Sequence, residues 1–74
     1  MPKLPVVKAS EVIKALEKIG FKVVRQKGSH VRLKREDNCV VTIPVHQGKT
    51  LGKGLLRKIL RDAKLTVDEF IELL

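Results

Sequence analysis

Apolar residues recur along the chain with two different periods, and this separates helices from strands. Between Val12 and Ile19 they are spaced three or four positions apart, which is the period of one helix face. Ser10 is a favourable N-cap, and Gly20 is a favourable stop because glycine adopts left-handed backbone angles readily. The pattern predicts a first helix between these two residues, after an extended segment over residues 1–9 that contains Pro2 and Pro5.

Three segments with strand character follow this helix. Residues 21–26 are rich in β-branched residues, residues 30–35 alternate between apolar and polar, and the apolar positions of residues 39–45 fall on one parity. Short turns at Gly28 and at residues 36–38 join them, so we predict an antiparallel meander with helices on one face. The open face is then predicted to present His30, Arg32, Lys34 and Thr42, and also His46 if the strand continues past Pro44.

The last third of the chain predicts two helices. A second helix starting near Thr50 has one apolar arc, made by Leu55, Leu56, Ile59, Leu60 and Ala63. A separate arc is basic and consists of Lys53, Arg57, Arg61 and Lys64. Thr66 and Glu69 have the spacing of a capping box, which predicts a short third helix.

These elements together define the expected fold class. The order α-β-β-β-α with a short C-terminal helix is the layout of a double-stranded-RNA-binding domain (dsRBD). We therefore expect an α+β fold with a three-stranded antiparallel sheet covered by helices on one face. At 74 residues, the chain is expected to form a single domain over residues 1–74.

The charge of the chain indicates its partner. Sixteen Lys and Arg against eight Asp and Glu give a net charge of +8, which favours a polyanion such as RNA. Most charged helix faces are only solvated. The charged residues of the second helix are almost all basic, however, so Lys53, Arg57 and Arg61 are predicted to contact phosphate. No apolar run is long enough for a signal peptide or a membrane span, and the single Cys39 fits a reducing compartment. We expect a cytoplasmic protein, with Cys39 a small buried residue of the third strand.

The segment Gly28-Ser29-His30 is the candidate catalytic element. A bend at Gly28 sets His30 at the start of a strand among basic residues, and imidazole exchanges protons near neutral pH. Without a metal, RNA cleavage needs a group that takes the 2′-hydroxyl proton and cations that stabilise the developing charge. His30 is the candidate base or acid, and its candidate helpers are Lys27, Ser29, Arg32 and Lys34.

A second acid–base group is less evident. His46 is one candidate, and its alternative role is to end the third strand and pack under the following loop. A metal site is not favoured, because Cys39, His30 and His46 lack the spacing of metal ligands. The sequence therefore predicts neither a metal nor a small-molecule cofactor.

Several motifs resemble one family in the same order along the chain. They are residues 20–30 with Gly-Ser-His, the strand Val41-Thr42-Ile43-Pro44-Val45-His46, and residues 51–60. Together they resemble the HicA (YcfA-like) toxins of bacterial and archaeal toxin–antitoxin systems. The resemblance implies a dsRBD-like fold, ribosome-independent cleavage of mRNA and neutralisation by a HicB-type antitoxin. It also implies that His30 is catalytic, although Val31 stands where many members have a second histidine or an aromatic residue.

Three functions remain open on the sequence. The first is a HicA-like endoribonuclease toxin with an acidic antitoxin partner, and the second is a non-catalytic RNA-binding module of the same fold. The third is a protein-interaction domain whose charge of +8 serves only an acidic partner.

Overall fold

The chain folds with the element order that its periodicity predicts. The computed structural model describes residues 4–46 and 48–74. Its elements are helix α1 (Ala9–Glu17), strands β1 (Lys22–Lys27), β2 (His30–Lys34) and β3 (Val40–Pro44), and helices α2 (Lys53–Asp62) and α3 (Val67–Leu73). The predicted α+β, dsRBD-like fold is confirmed.

The three strands form one antiparallel sheet in the order β1-β2-β3. Val31 lies opposite Ile43 and Leu33 opposite Val41, and all four side chains are buried. They pack with buried residues of the three helices into one core that also includes Leu16, Leu56 and Phe70. Helices therefore cover one face of the sheet, as predicted, and the other face meets solvent.

Helix α1 begins earlier than its capping pattern predicts. Lys8 is the N-cap and Ser10 lies inside the helix, so the prediction of Ser10 as N-cap was wrong. The reason is tertiary: Lys8 forms an isolated bridge with Thr50, which holds the chain extended up to the helix start. Residues 4–7 form neither helix nor strand, and the extended conformation predicted for residues 1–3 lies outside the described residues.

The same bridge delays helix α2. Because Thr50 pairs with Lys8, the helix starts at Lys53, with Gly52 as an extended N-cap, and not near Thr50 as predicted. At the other end, the Leu65 N–H donates to the Leu60 carbonyl (2.9 Å), and Lys64 adopts a φ of 59°. This closure is typical of a Schellman motif. Lys64 therefore lies beyond the helix and does not belong to its basic arc, contrary to the prediction.

Two tight loops join the strands. Lys27 pairs with His30, which leaves a two-residue loop that starts at Gly28 with a φ of 58°. The loop after β2 has Asn38 in the left-handed region (φ 66°), and its N–H donates to the Arg35 carbonyl. Both loops have the residue types that these hairpin turns require, so the predicted meander follows from local chemistry.

An ion pair stabilises the second loop. The Arg35 guanidinium donates to both carboxylate oxygens of Asp37, at 3.1 and 2.8 Å, and this lowers the pKa of Asp37 to about 2. Because the folded-state pKa is depressed, the stabilisation is present above the ordinary carboxyl pKa. It is lost as the pH falls through about 2.

Strand β3 is shorter than the apolar parity predicts. It ends at Pro44, which has no N–H to donate, so Val45 and His46 follow the strand. Cys39 precedes it and is half-buried rather than buried within the strand, with its thiol donating to the Asp62 carbonyl at 2.9 Å. The predicted position of Cys39 was therefore wrong by one residue, because the preceding turn occupies that position.

Helix α3 has the predicted capping box. The Thr66 hydroxyl accepts from the Glu69 N–H, and the Glu69 carboxylate accepts from the Thr66 N–H. These hydrogen bonds lower the pKa of Glu69. At the end of the helix the Lys18 ammonium donates to the Leu73 carbonyl (2.7 Å), which joins α3 to α1 and sets a cation at a helix C-terminus.

Candidate RNA-binding face and active site

An irregularity in β1 decides which of its side chains share a face with His30. Val23 pairs with Leu33, but Arg25, two residues later, pairs with Arg32, the next residue of β2. Val24 is thus an extra residue, and the parity of β1 changes there. Without this bulge, Arg25 and Lys27 would fall on the core side of the sheet.

With the bulge, the open face has three cross-strand pairs of basic residues, which we call the basic ladder. It consists of Lys22–Lys34, Arg25–Arg32 and Lys27–His30. Paired residues of neighbouring strands share a face, and the β2 residues between them, Val31 and Leu33, are buried. All six ladder side chains are exposed.

His30 lies at the hairpin end of this ladder in an open pocket of about 220 Å³. The pocket is lined by Arg25, Lys27, His30, Arg32 and Thr42. Lys27 is opposite His30 on one side and Pro44 is opposite it on the other. The fold therefore surrounds a single exposed imidazole with three cations and one hydroxyl.

The cations of the pocket are not neutralised by carboxylates of the described chain. Across residues 4–46 and 48–74, the one ion pair joins Arg35 to Asp37, at the other end of the sheet. Arg25, Lys27 and Arg32 form no side-chain hydrogen bond there either. Unpaired, closely spaced cations create a local positive potential that attracts anions.

The predicted site residues of the β1–β2 hairpin come together, with differences among them. Lys27, His30 and Arg32 line the pocket, whereas Lys34 is at the far end of the ladder. Ser29 is half-buried in the hairpin loop, where its carbonyl accepts from the Val45 N–H.

The sequence prediction placed Arg25 among the basic residues around His30, but it selected neither Arg25 nor Lys22 as an RNA-binding residue. A regular alternation through β1 does not bring Arg25 to the same face as His30, because the bulge alone does so. The adjacent apolar pair Val23-Val24 is the one local sign of a broken alternation in this strand.

The fold does not bring the α2 cations into the pocket. Lys53, Arg57 and Arg61 are exposed on the helix layer, whereas the pocket opens on the opposite face of the sheet. The buried residues Leu56 and Ile59 face the core, so the basic arc lies on the flank of the helix. It forms a second basic surface, separate from the ladder.

His46 is exposed and follows β3, and it does not line the His30 pocket. The Lys49 N–H donates to its backbone carbonyl, which is the one hydrogen bond of His46 within the described residues. Within residues 4–46 and 48–74, no three His, Cys, Asp or Glu side chains are grouped closely enough to hold a metal ion. None of the helices described is long and apolar enough to cross a membrane.

A comparison with protein families decides the relationship of this chain. The sequence model of the family described as HicA toxin of bacterial toxin–antitoxin matches residues 9–65, which is well over half of the 74 residues. The chain belongs to the HicA toxin family. The match runs from the start of α1 to just past α2 and includes the whole sheet with the His30 pocket. No curated protein matches the chain.

Proposed function

We propose that this HicA-family protein is an endoribonuclease toxin that cleaves mRNA without a metal ion, with His30 as its catalytic residue. The observation that supports this proposal is the position of His30, an exposed imidazole in a pocket otherwise lined by Arg25, Lys27, Arg32 and Thr42. A polyanion bound there brings phosphate beside a side chain that acts as a general base or acid. Action on mRNA requires that the protein works in the cytoplasm.

The reaction begins at the ribose 2′-hydroxyl. Neutral His30 takes the hydroxyl proton while the 2′-oxygen forms a bond to the adjacent phosphorus, and the bond from phosphorus to the 5′-oxygen breaks. The leaving 5′-oxygen takes a proton from water, because the described residues of the pocket include no second imidazole or carboxyl. His30 then releases its proton to solvent. The products are a 2′,3′-cyclic phosphate and a 5′-hydroxyl.

The surrounding cations stabilise the negative charge that develops on the non-bridging phosphate oxygens. Arg25, Lys27 and Arg32 line the pocket, and they have no carboxylate partner in the described chain. Charge-assisted hydrogen bonds to an oxyanion are stronger than neutral ones, and they strengthen as negative charge builds up in the transition state. Ser29, next to His30 in the loop, is a candidate donor to the same phosphate.

Replacement of His30 by alanine tests the assignment. His30 is exposed, so we expect His30→Ala to keep the fold, with a change in unfolding free energy within about 0.5 kcal/mol. RNA binding should persist because the cations remain, while cleavage of a transcript should fall by about 10²–10⁴-fold. His46→Ala is the matched control, since His46 lies outside the pocket.

Three results would overturn the mechanism. Cleavage by folded His30→Ala at the wild-type rate would remove His30 from the chemistry. Loss of wild-type cleavage with a chelator, together with 3′-hydroxyl product ends, would show metal-dependent hydrolysis. A greater loss in His46→Ala than in His30→Ala would transfer the catalytic role to His46.

The proposed partner is a HicB-type acidic antitoxin that neutralises the toxin. Membership of the HicA family supports an antitoxin in general, and the net charge of +8 makes an acidic one electrostatically favourable. Co-expression with the product of an adjacent gene should restore growth and yield a complex. Growth arrest that persists without a co-purifying protein would contradict this pairing.

One observation favours a second candidate function, a non-catalytic RNA-binding module. The pocket holds one imidazole and no partner for it, and a single acid–base group gives a slow enzyme. Wild-type protein that binds RNA but leaves it intact over long incubation would support the module. This outcome differs from the results that would overturn the mechanism, because here the wild-type protein itself does not cleave RNA.

A further inference from the structure

The basic ladder is unfavourable for the sheet that contains it. Each of its three rungs sets two basic side chains directly opposite each other, as in Lys22–Lys34 and Arg25–Arg32. Like charges at such positions destabilise a sheet. The proposed chemistry at His30 uses the rung at the hairpin end and the neighbouring Arg25–Arg32 rung, so the Lys22–Lys34 rung has no role in it.

The ladder has a regular geometry. His30, Arg32 and Lys34 occupy alternate positions of one continuous strand, so their rungs are separated by about 6.7 Å and span about 13 Å. A row of cations at this spacing matches the charges of an extended polynucleotide backbone, which repeat once per nucleotide.

We propose that the basic ladder binds three consecutive phosphates of single-stranded RNA, with the cleaved phosphate at the Lys27–His30 rung. This inference rests on the proposed function for the identity of that rung. Lys22 and Lys34 then bind the phosphate farthest from the cleavage site, and Arg25 and Arg32 bind the one between.

The straight row favours a single strand over a duplex. The phosphates of a duplex strand follow a helix, so only a few of them meet a flat face, whereas an extended strand lies along it. Attack by the 2′-hydroxyl also requires it to line up with the leaving oxygen, and a stacked A-form duplex does not allow this arrangement.

The rest of the open face supports binding through the backbone of the RNA. The column beside the ladder on β3 is uncharged and consists of Val40, Thr42 and Pro44. The chain has no Trp or Tyr, and both Phe21 and Phe70 are buried, so the face exposes no Phe, Tyr or Trp ring for base stacking. The track should accept many sequences.

The ladder also has a direction. At the His30 rung it stops, because the chain turns through Gly28 and Ser29. RNA on one side of the cleaved phosphate thus meets two more rungs, and RNA on the other side leaves the sheet. We infer that only one flank of the cleavage site contributes to binding on this face.

The first experiment measures site size with 2′-O-methyl oligouridines, which bind but cannot be cleaved. With lengths from about two to eight nucleotides, affinity should rise with each phosphate and level off at three, with a salt slope of about −2. In the double variant Lys22→Ala/Lys34→Ala, the plateau should come one phosphate earlier and the slope should fall in magnitude by about 0.7. This variant should fold, since it removes a repulsive pair.

The second experiment tests which flank of the cleavage site binds to the ladder. It compares the cleavage rates of strands that have one cleavable ribonucleotide near the 5′ end, in the middle or near the 3′ end. Cleavage should be fast only in strands that have the flank that lies on the ladder. The Lys22→Ala/Lys34→Ala variant should cleave the substrates that have this flank more slowly. Its rate on substrates that lack this flank should equal that of the wild type.

The matched control is Lys14→Ala/Lys58→Ala, which removes the same charge from exposed positions on α1 and α2. An equal loss of affinity in this control would overturn the track, because net charge alone would explain it. Equal benefit from both flanks, or tighter binding of a duplex that the ladder variant does not weaken, would also overturn it. If His30→Ala cleaved normally, the proposed function would fail while the length dependence would still test the ladder.

Discussion

The two faces of the sheet share the same strands and have opposite relations to stability. On the core face, Val31 and Leu33 of β2 lie opposite Ile43 and Val41 and are buried beneath the helices. On the open face, the alternate residues of β2 lie opposite other basic residues of β1. Removal of apolar area from water stabilises the first arrangement, and repulsion between like charges destabilises the second.

This difference separates residues that the fold needs from residues that a ligand explains. Cations opposite each other in the Lys22–Lys34 and Arg25–Arg32 rungs lower the stability of a small domain, which has little stability to lose. In the proposed complex a bound polyanion offsets this repulsion, because each phosphate on the ladder lies beside basic residues of both strands. The predictions below alter one face at a time.

The largest expected effect comes from the core face. Leu33 is fully buried at the centre of β2, so Leu33→Ala should lower the unfolding free energy by about 2–5 kcal/mol. Its neighbour Arg32 is exposed, and Arg32→Ala is the matched control, with an expected change within about 0.5 kcal/mol. Urea titrations measure both. Similar losses in the two variants would mean that the open face contributes to the core.

The next largest effect is expected in the salt dependence of RNA binding, which tests whether the helix layer also binds RNA. Arg57→Ala/Arg61→Ala should reduce the salt slope for a long transcript by roughly 0.7 per lost contact, because the basic arc lies on a separate surface that long RNA can reach. The slope for a four-nucleotide strand, which the ladder alone accommodates, should not change. An unchanged slope on long RNA would make the arc merely solvated surface.

The smallest effect reverses one rung of the ladder. Lys22→Glu converts the Lys22–Lys34 pair from repulsive to attractive, so it should raise the unfolding free energy by about 0.2–1 kcal/mol. The same change should weaken binding of single-stranded RNA. Lys22→Ala is the control for loss of charge without attraction. A variant that is less stable and binds RNA more tightly would contradict both halves of the comparison.

Local sequence chemistry predicted the elements and much of the site. Apolar periodicity defined the buried side of α2, and Gly28 and Asn38 defined the hairpin loops. The alternation in β2 predicted that His30 is exposed while Val31 and Leu33 are buried, as the structure shows. These features depend on a residue and its near neighbours, so the sequence is sufficient for them.

Other features required contacts between distant segments. The bridge between Lys8 and Thr50 sets the starts of α1 and α2, and it overrides the favourable cap at Ser10. Pro44 was visible in the sequence, but the register of β3 decided that His46 follows the strand and does not line the pocket. At the two helix starts, the long-range pairing of Lys8 with Thr50 outweighed the local preference.

The bulge at Val24 is the clearest case of what tertiary structure alone decided. The sequence determined that β1 is basic and that His30 begins β2, but strict alternation leaves Arg25 and Lys27 on the core side. One extra residue in β1 changes the parity and brings both to the pocket. β1 has no buried residue to set its register, so the position of the extra residue is decided by its pairing with β2.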